Sequence, residues 1–199
     1  MLSKWHQRFR FWGKETSEGK PDELPIWSYR SESRGDKIHW VVCNDLPTLV
    51  WLANVTRFDF HPSFSRTDRL DHPDFVVFDL DPTPPTGFPQ ALQVDRLVKA
   101  VLDPFDLRAN VKTSGATDLH LYLPIQCRYS NKQVRGFAQN FAALMIQRFP
   151  DLITPEWKID RPTGKVRIGF TQNVAGKTLA SVCNMCPTEG APVSCPLVW

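Results

Sequence analysis

The chain has 199 residues, with 24 Lys and Arg against 21 Asp and Glu and a formal net charge of +3. At 42% hydrophobic, 23% charged and 12% aromatic residues, it has the composition of an ordinary globular protein and far more packing surface than a disordered chain. No run approaches the roughly 18 apolar residues of a membrane span, and the basic, aromatic opening holds no apolar signal-peptide core, so a cytoplasmic location is expected. A charge of +3 does not by itself argue for nucleic acid, so any basic surface must be local. The cysteines are Cys43, Cys127, Cys183, Cys186 and Cys195. An odd number without a secretion signal points to free thiols.

Residues 1–36 read as a basic, aromatic N-terminal segment of the same domain as 37–199. Within it, Lys4, Arg8, Arg10, Lys14 and Lys20 interleave with Trp5, Phe9, Phe11 and Trp12. The run KIHWVVC over 37–43 predicts a strand. Asn44 or Asp45 can cap a short helix with Pro47 in its first turn and Leu46, Leu49, Val50 and Ala53 on its buried face. A strand is predicted near 58–61, and the firmest strand signal is DFVVFDLD over 74–81, closed by Pro82 and Pro84-Pro85. Helical spacing of Val94, Leu97, Val98, Val101 and Leu102 predicts a helix over 89–102. Strands follow at 110–113 and 119–123, separated by a glycine turn. A second amphipathic helix spans 132–148, with Val134, Phe137, Phe141, Leu144 and Met145 on one side. The last predicted strand covers 166–171, ahead of a Pro-rich tail. Intermixed strands and helices define one α+β domain with a central sheet.

Alternate strand side chains share a face, so Phe75, Val77, Asp79 and Asp81 lie on one side and Val76, Phe78 and Leu80 on the other. Carboxylates at i and i+2 have Cα atoms roughly 6–7 Å apart, within reach of a shared divalent cation. Hard oxygen ligands suit Mg²⁺ or Mn²⁺, which commonly also bind substrate phosphates. The alternative is a strand running into a solvated turn, since neither aspartate has an obvious basic neighbour in sequence. DLDPT also fits the D-x-D-x-T pattern of haloacid-dehalogenase-type phosphatases, but the later acidic pair that chemistry needs is missing. Between the strands at 110–113 and 119–123, Lys112, Ser114, Gly115 and His120 offer a cation, a hydroxyl, a flexible turn and an imidazole, a set able to grip phosphate oxygens. A plain hairpin with a hydrogen-bonded histidine is the other reading. Cys183 and Cys186 form a C-x-x-C step, with Cys195 further on. Structural zinc takes four ligands and no second pair follows, so no zinc site is expected.

Taken in order, LPTLVWLANVTRFDFHPSFSRTDRLDHPDFVVFDLDPTP, VKTSGATDLHLYLP, GKVRIGFTQNVAGKT and GAPVSCPLVW resemble the polymerase domain of bacterial DNA ligase D, in the archaeo-eukaryotic primase superfamily. The resemblance covers about residues 37–199 and weakens towards FRFWGK near residue 9. It implies an RRM-like catalytic core in a central, mostly antiparallel sheet with flanking helices, N-terminally shortened relative to the family. It also implies metal-dependent nucleotidyl transfer, using Mn²⁺ or Mg²⁺ and a nucleoside triphosphate (ribo- or deoxyribonucleotide), at DNA ends in non-homologous end joining. Those ends would be held by their 5′-phosphate, with Ku and a separate ligase as possible partners and no membrane. Asp79 and Asp81 match the first two catalytic, metal-binding aspartates. His61, Lys112, Ser114, His120, Gln172, Asn173 and Lys177 match nucleotide-binding positions, while Phe11, Trp12 and Lys14 match the DNA-contacting segment.

Departures from the family pattern carry their own implications. The third catalytic aspartate falls at Gly169, on the polar side of the strand holding Ile168 and Phe170, with Asp160 the nearest acid in sequence. Thr117 and Asp118 replace a Lys-Gly pair, and Ala175, Cys186 and Thr188 stand where the family has arginines. The resemblance therefore implies a polymerase impaired at its third carboxylate, and restoring it by Gly169→Asp is expected to raise turnover. The alternative is a non-catalytic DNA-end or nucleotide-binding remnant of the same fold.

Overall fold

A computed structural model describes residues 9–11, 22–30, 35, 37–55, 60–155, 164–186 and 189–199. A three-stranded antiparallel sheet in the order β1-β3-β2 is built from β1 (Phe9–Phe11), β2 (Ile26–Arg30) and β3 (Lys37–Cys43). Helix α1 (Leu46–Asn54) follows, then a small ribbon of β4 (Ser65–Arg66) and β5 (Arg69–Pro73). The rest forms a six-stranded sheet with two long helices. In chain order these are β6 (Phe75–Pro82), α2 (Phe88–Leu102), β7 (Asn110–Thr113), β8 (Leu119–Pro124), α3 (Asn131–Arg148), β9 (Ile153–Thr154), β10 (Val166–Gly169) and β11 (Pro196–Leu197). The sheet order is β11-β7-β8-β6-β10-β9, antiparallel throughout except for the β10–β9 pair. This is the mixed α+β architecture with a central, mostly antiparallel sheet expected from the sequence.

Strand alternation decides which face is apolar. Val76, Phe78 and Leu80 of β6, Leu119, Leu121 and Leu123 of β8, and Val166 and Ile168 of β10 join Val94, Val98, Phe141 and Met145 from α2 and α3 in one core. Both long helices therefore cover a single face of the sheet. On α3 the buried stripe is Val134, Ala138, Phe141, Ala142 and Met145, whereas Phe137 and Leu144 lie on its rim, 42% and 47% exposed. The apolar side read from the sequence is thus wider than the buried stripe, because two small alanines let the helix approach the sheet along a narrower one. Ser130 caps α3 reciprocally. Its hydroxyl accepts from the Gln133 N–H (3.3 Å) while its own N–H donates to Gln133 Oε1 (2.9 Å).

Asp45 caps α1, its Oδ1 accepting from the Thr48 N–H at 2.8 Å, with proline in the first turn as expected. The predicted buried face is wrong, however. Thr48 and Leu52 turn inward, Leu52 packing with Cys43, while Leu46, Leu49 and Val50 are exposed. LPTLVWLAN is apolar nearly all round, so its periodicity cannot choose a face. Of the strand expected at 58–61, residues 60 and 61 are irregular and 58–59 lie outside the described residues. The strand expected over 166–171 stops at Gly169.

Where β10 stops, a side chain continues its ladder. Asp79 is paired with Gly169, and two residues earlier on β6 the Val77 N–H donates to Asn173 Oδ1 (2.8 Å). Asn173 Nδ2 donates to the carbonyls of Val77 and Phe170, both at 2.7 Å. The carboxamide thus stands in for a strand peptide on a fully buried segment. Asn173→Ala should leave both Val77 backbone groups unsatisfied and cost about 2–3 kcal/mol. For a chain of this size that corresponds to a Tm lower by about 4–12 °C in calorimetry. An unchanged Tm would contradict this role.

Candidate functional site

The face of the sheet away from α2 and α3 carries polar groups in two rows set by strand register. In the first row Lys112 of β7 stands opposite His120 of β8, His120 opposite Asp79 of β6, and Asp79 opposite Gly169 of β10. In the second, Asp81 pairs with Arg167. Continuing the β6–β8 register one step past Leu80 and Leu119 brings Asp118 opposite Asp81. The turn between β7 and β8 closes with the Ser114 N–H donating to the Asp118 carbonyl at 2.9 Å. Gly115 makes this turn possible. It sits at φ +91°, and a Cβ there would lie 3.3 Å from Cys186 Cβ and 3.4 Å from the Pro192 carbonyl.

Burial sets the charge state of this row. Asp79 is pushed up to about 7 by burial, then by the charges of Asp118 and Asp81, against the pull of Arg167 and Lys112. Its Oδ1 is buried without a hydrogen-bond partner among the described residues, and His120 Nε2 lies 3.6 Å away. Burial and the neighbouring Lys112 and His61 push His120 down to about 3, so the ring is neutral at physiological pH, and its Nδ1 has no hydrogen-bond partner either. Lys112 is buried and pushed down to about 8 by desolvation, with Asp79 opposing. Its ammonium is held by Ser194 Oγ (2.8 Å) and the Thr113 carbonyl (3.1 Å). Burial also raises Asp118, whose Oδ1 accepts from the Thr117 hydroxyl at 3.0 Å. The Arg167 guanidinium donates to Asp81.

Asp79, Asp81, Lys112, Ser114 and His120 therefore meet at the ends of neighbouring strands. The Ser114 hydroxyl accepts from the N–H groups of Ala116 (2.9 Å) and Asp118 (3.2 Å), which fixes the turn. His61 is half-buried, close enough to act on His120, in a loop tied to the C-terminal segment through the Ser63–Thr178 bridge. Gln172 is half-buried in the turn after β10, Lys177 is exposed beyond it, and Asn173 is buried with its amide bound to Val77. Phe11 belongs to β1, paired with Val41 in the smaller sheet, while Trp12, Lys14, Asp160 and Thr188 lie outside the described residues. Cys183, Cys186 and Cys195 are unbridged, and they form no ligand cluster among the described residues.

Three site residues escaped sequence reasoning. Arg167 is the basic neighbour of Asp81 that local sequence did not reveal. Its signal was the alternation that places it on the same strand face as Gly169. Asp118 precedes His120 by two and shares its face. Ser194, which holds Lys112, left no signal. Gly169 is buried rather than on an open strand face, and a Cβ there would meet Asp79 Cβ at 3.1 Å. This corrects the premise that an aspartate fits position 169 freely.

One carboxylate oxygen is buried and unpartnered. Together with the acids and imidazole around it, this is a donor set suited to a divalent cation of the Mn²⁺ or Mg²⁺ kind. The fold is that of a ligase D polymerase domain. It superimposes with a TM-score of 0.84 on the polymerase domain of Mycobacterium tuberculosis ligase D in complex with DNA, at 22% identity over 96% of this chain and 72% of that one. The family of LigD primase-polymerase domains matches residues 4–199, and the chain belongs to it. A bifunctional non-homologous end joining protein LigD of Bacillus subtilis is 32% identical over 183 residues, 92% of this chain and 30% of that protein. A multifunctional LigD of Pseudomonas aeruginosa is 31% identical over 153 residues, 75% of this chain and 18% of that protein. The chain thus spans less than a third of the length of these relatives. No helix among the described residues is long and apolar enough to cross a membrane.

The raised Asp79 has a consequence for stability. Between about pH 4 and about 7 the folded chain keeps a proton on Asp79 that the unfolded chain has released, so this group's contribution falls as pH rises through that window. In metal-free buffer, Asp79→Asn should match wild type near pH 4 and exceed it at pH 8, by on the order of a few kcal/mol. Thermal melts at the two pH values measure this. A variant less stable than wild type at pH 8 would contradict the assignment.

Proposed function

We propose that the chain adds nucleotides to DNA ends in non-homologous end joining, with Asp79 and its neighbouring acids holding a divalent cation. What chiefly supports this reading is the in-register row of Lys112, His120 and Asp79, with Asp81 one step along, in a chain of this family. When bound, the cation supplies charge stabilisation for the triphosphate and activation of the primer 3′-hydroxyl. Asp79 would be its central carboxylate ligand, with a second carboxylate from the acids beside it. The buried Lys112 ammonium, positioned by Ser194, fixes a positive charge beside them for the phosphate oxygens. His120, neutral at physiological pH, offers a ring nitrogen to this site without adding charge. His61, Gln172 and Lys177 contact the nucleotide from the loops around the sheet. Phe11, Trp12 and Lys14 meet the DNA, where stacking contributes about 1–3 kcal/mol per base. Ku, a separate ligase and the 5′-phosphate belong to this reading as partners and anchor of the end.

A second reading, a binding module without catalysis, is favoured by Gly169 and Arg167. Residue 169 offers no carboxylate beside Asp79, and Arg167 occupies Asp81. Primer extension on a gapped duplex with Mn²⁺ and ribonucleotides separates the two. The polymerase reading expects slow, chelator-sensitive addition that Asp79→Ala lowers by about two orders of magnitude. Addition indifferent to Asp79→Ala would overturn it. Tight binding to a 5′-phosphorylated end with no addition would favour the binding module. Under either reading, DNA affinity should fall steeply between about 50 and 200 mM salt, and salt-independent binding would count against a role at DNA ends.

A further inference from the structure

We infer that this chain's cation site is formed by Asp79, Asp118 and His120, so that Asp118, from the turn before β8, supplies the carboxylate that position 169 lacks. The inference deepens the reading of Asp79 as a cation ligand and names the set that works with it. It differs from the set that the family resemblance implies, which runs through Asp79, Asp81 and position 169.

The geometry favours the β8 side of Asp79 over the β10 side. Ligand atoms from Asp79, Asp118 and His120 all lie within 4.8 Å of one another, the only such group among the described residues. In an octahedral site with bonds near 2.1 Å, ligand atoms stand about 3.0 Å apart when adjacent and about 4.2 Å apart when opposite. The His120 Nε2 to Asp79 Oδ1 distance of 3.6 Å falls between those limits. On the other flank, Gly169 brings no side chain, and Asp81 is already in contact with the Arg167 guanidinium.

A second, independent observation points to a ligand. His120 is 4% exposed and turns its Nε2 toward Asp79 Oδ1, which lies 3.6 Å away, buried and with no hydrogen-bond partner among the described residues. Buried polar atoms are almost always paired, and an unpartnered carboxylate oxygen inside such a cluster is one that a bound cation would satisfy. Asp118 is held ready for the same ion, its Oδ1 fixed by Thr117 and its backbone by Ser114. Two carboxylates and one imidazole form a mixed oxygen and nitrogen set that suits Mn²⁺ better than Mg²⁺.

The test uses the full chain and Mn²⁺ alone, with no nucleotide. Free ion is counted by its electron paramagnetic resonance signal, and bound ion is examined by spin-echo modulation for a ¹⁴N ligand. Wild type should bind one Mn²⁺ with ¹⁴N modulation, and Mg²⁺ should compete only in large excess. His120→Gln should abolish the modulation, and Asp118→Asn should weaken binding about tenfold or more. Asp118→Glu should recover part of that loss, and Glu189→Gln, at an exposed acid, should change nothing. Wild-type affinity in Asp118→Asn, a bound ion without ¹⁴N modulation, or no binding below about 1 mM Mn²⁺ would each overturn the inference. Nucleotide addition by the same wild-type sample would then leave the polymerase reading standing, whereas its absence would count against both. If a melt shows Asp118→Asn unfolded, the wild-type ¹⁴N signature and the Asp118→Glu affinity decide.

Discussion

A carboxylate on the central strand of a sheet, with only 18% of its side chain exposed, is the constraint around which the polar face is organised. Asp79 cannot escape into water, because β8 and β10 hold β6 on both sides. Burying an anion costs several kcal/mol unless a cation or hydrogen bonds meet it. Each protein cation nearby is engaged elsewhere: Lys112 with Ser194 and the Thr113 carbonyl, Arg167 with Asp81. The remaining deficit is the chemical reason for a cation site at Asp79, and a glycine directly opposite leaves that deficit open on one flank.

The scaffold that maintains this strain lies partly in the segment after β10. Asn173 completes the backbone pairing of Val77, while Ser194 bonds both the Lys112 ammonium and, at 2.6 Å, the Thr113 carbonyl. The Cys195 N–H donates to Thr113 Oγ1 at 2.8 Å, and the Thr113 N–H donates to the Cys195 carbonyl at 2.9 Å. A stretch whose one regular strand among the described residues is the two-residue β11 therefore fixes the outer edge of the site. Polar residues there serve the fold even where a sequence motif marks them as ligand contacts.

Much of this was legible because it is local. Strand alternation in FVVFDLDP and LHLYLP separated the core leucines and valines from Asp79, Asp81 and His120, and the 3.6-residue period placed both long helices within a residue of their start. What escaped depends on pairing between distant segments. Arg167 meets Asp81 only because β10 docks antiparallel on β6, a register that neither segment announces alone. Asp118 registered only as a departure from the family's Lys-Gly pair, since its neighbours across the sheet were unknown. The α1 face failed for the opposite reason: a segment apolar all round gives periodicity nothing to distinguish. Residue 169 was placed on the correct face, but its crowding against Asp79 is a packing fact that appears only when two backbones are side by side.

The central claim is that a divalent cation resolves the buried charge of Asp79 on its β8 side. Anomalous diffraction at the manganese edge from crystals soaked in Mn²⁺ tests it most directly. The account predicts one peak bonded to oxygens of Asp79 and Asp118 and to a ring nitrogen of His120, at about 2.1–2.3 Å. A peak seated between Asp81 and residue 169, or no peak at Asp79 at saturating Mn²⁺, would contradict it.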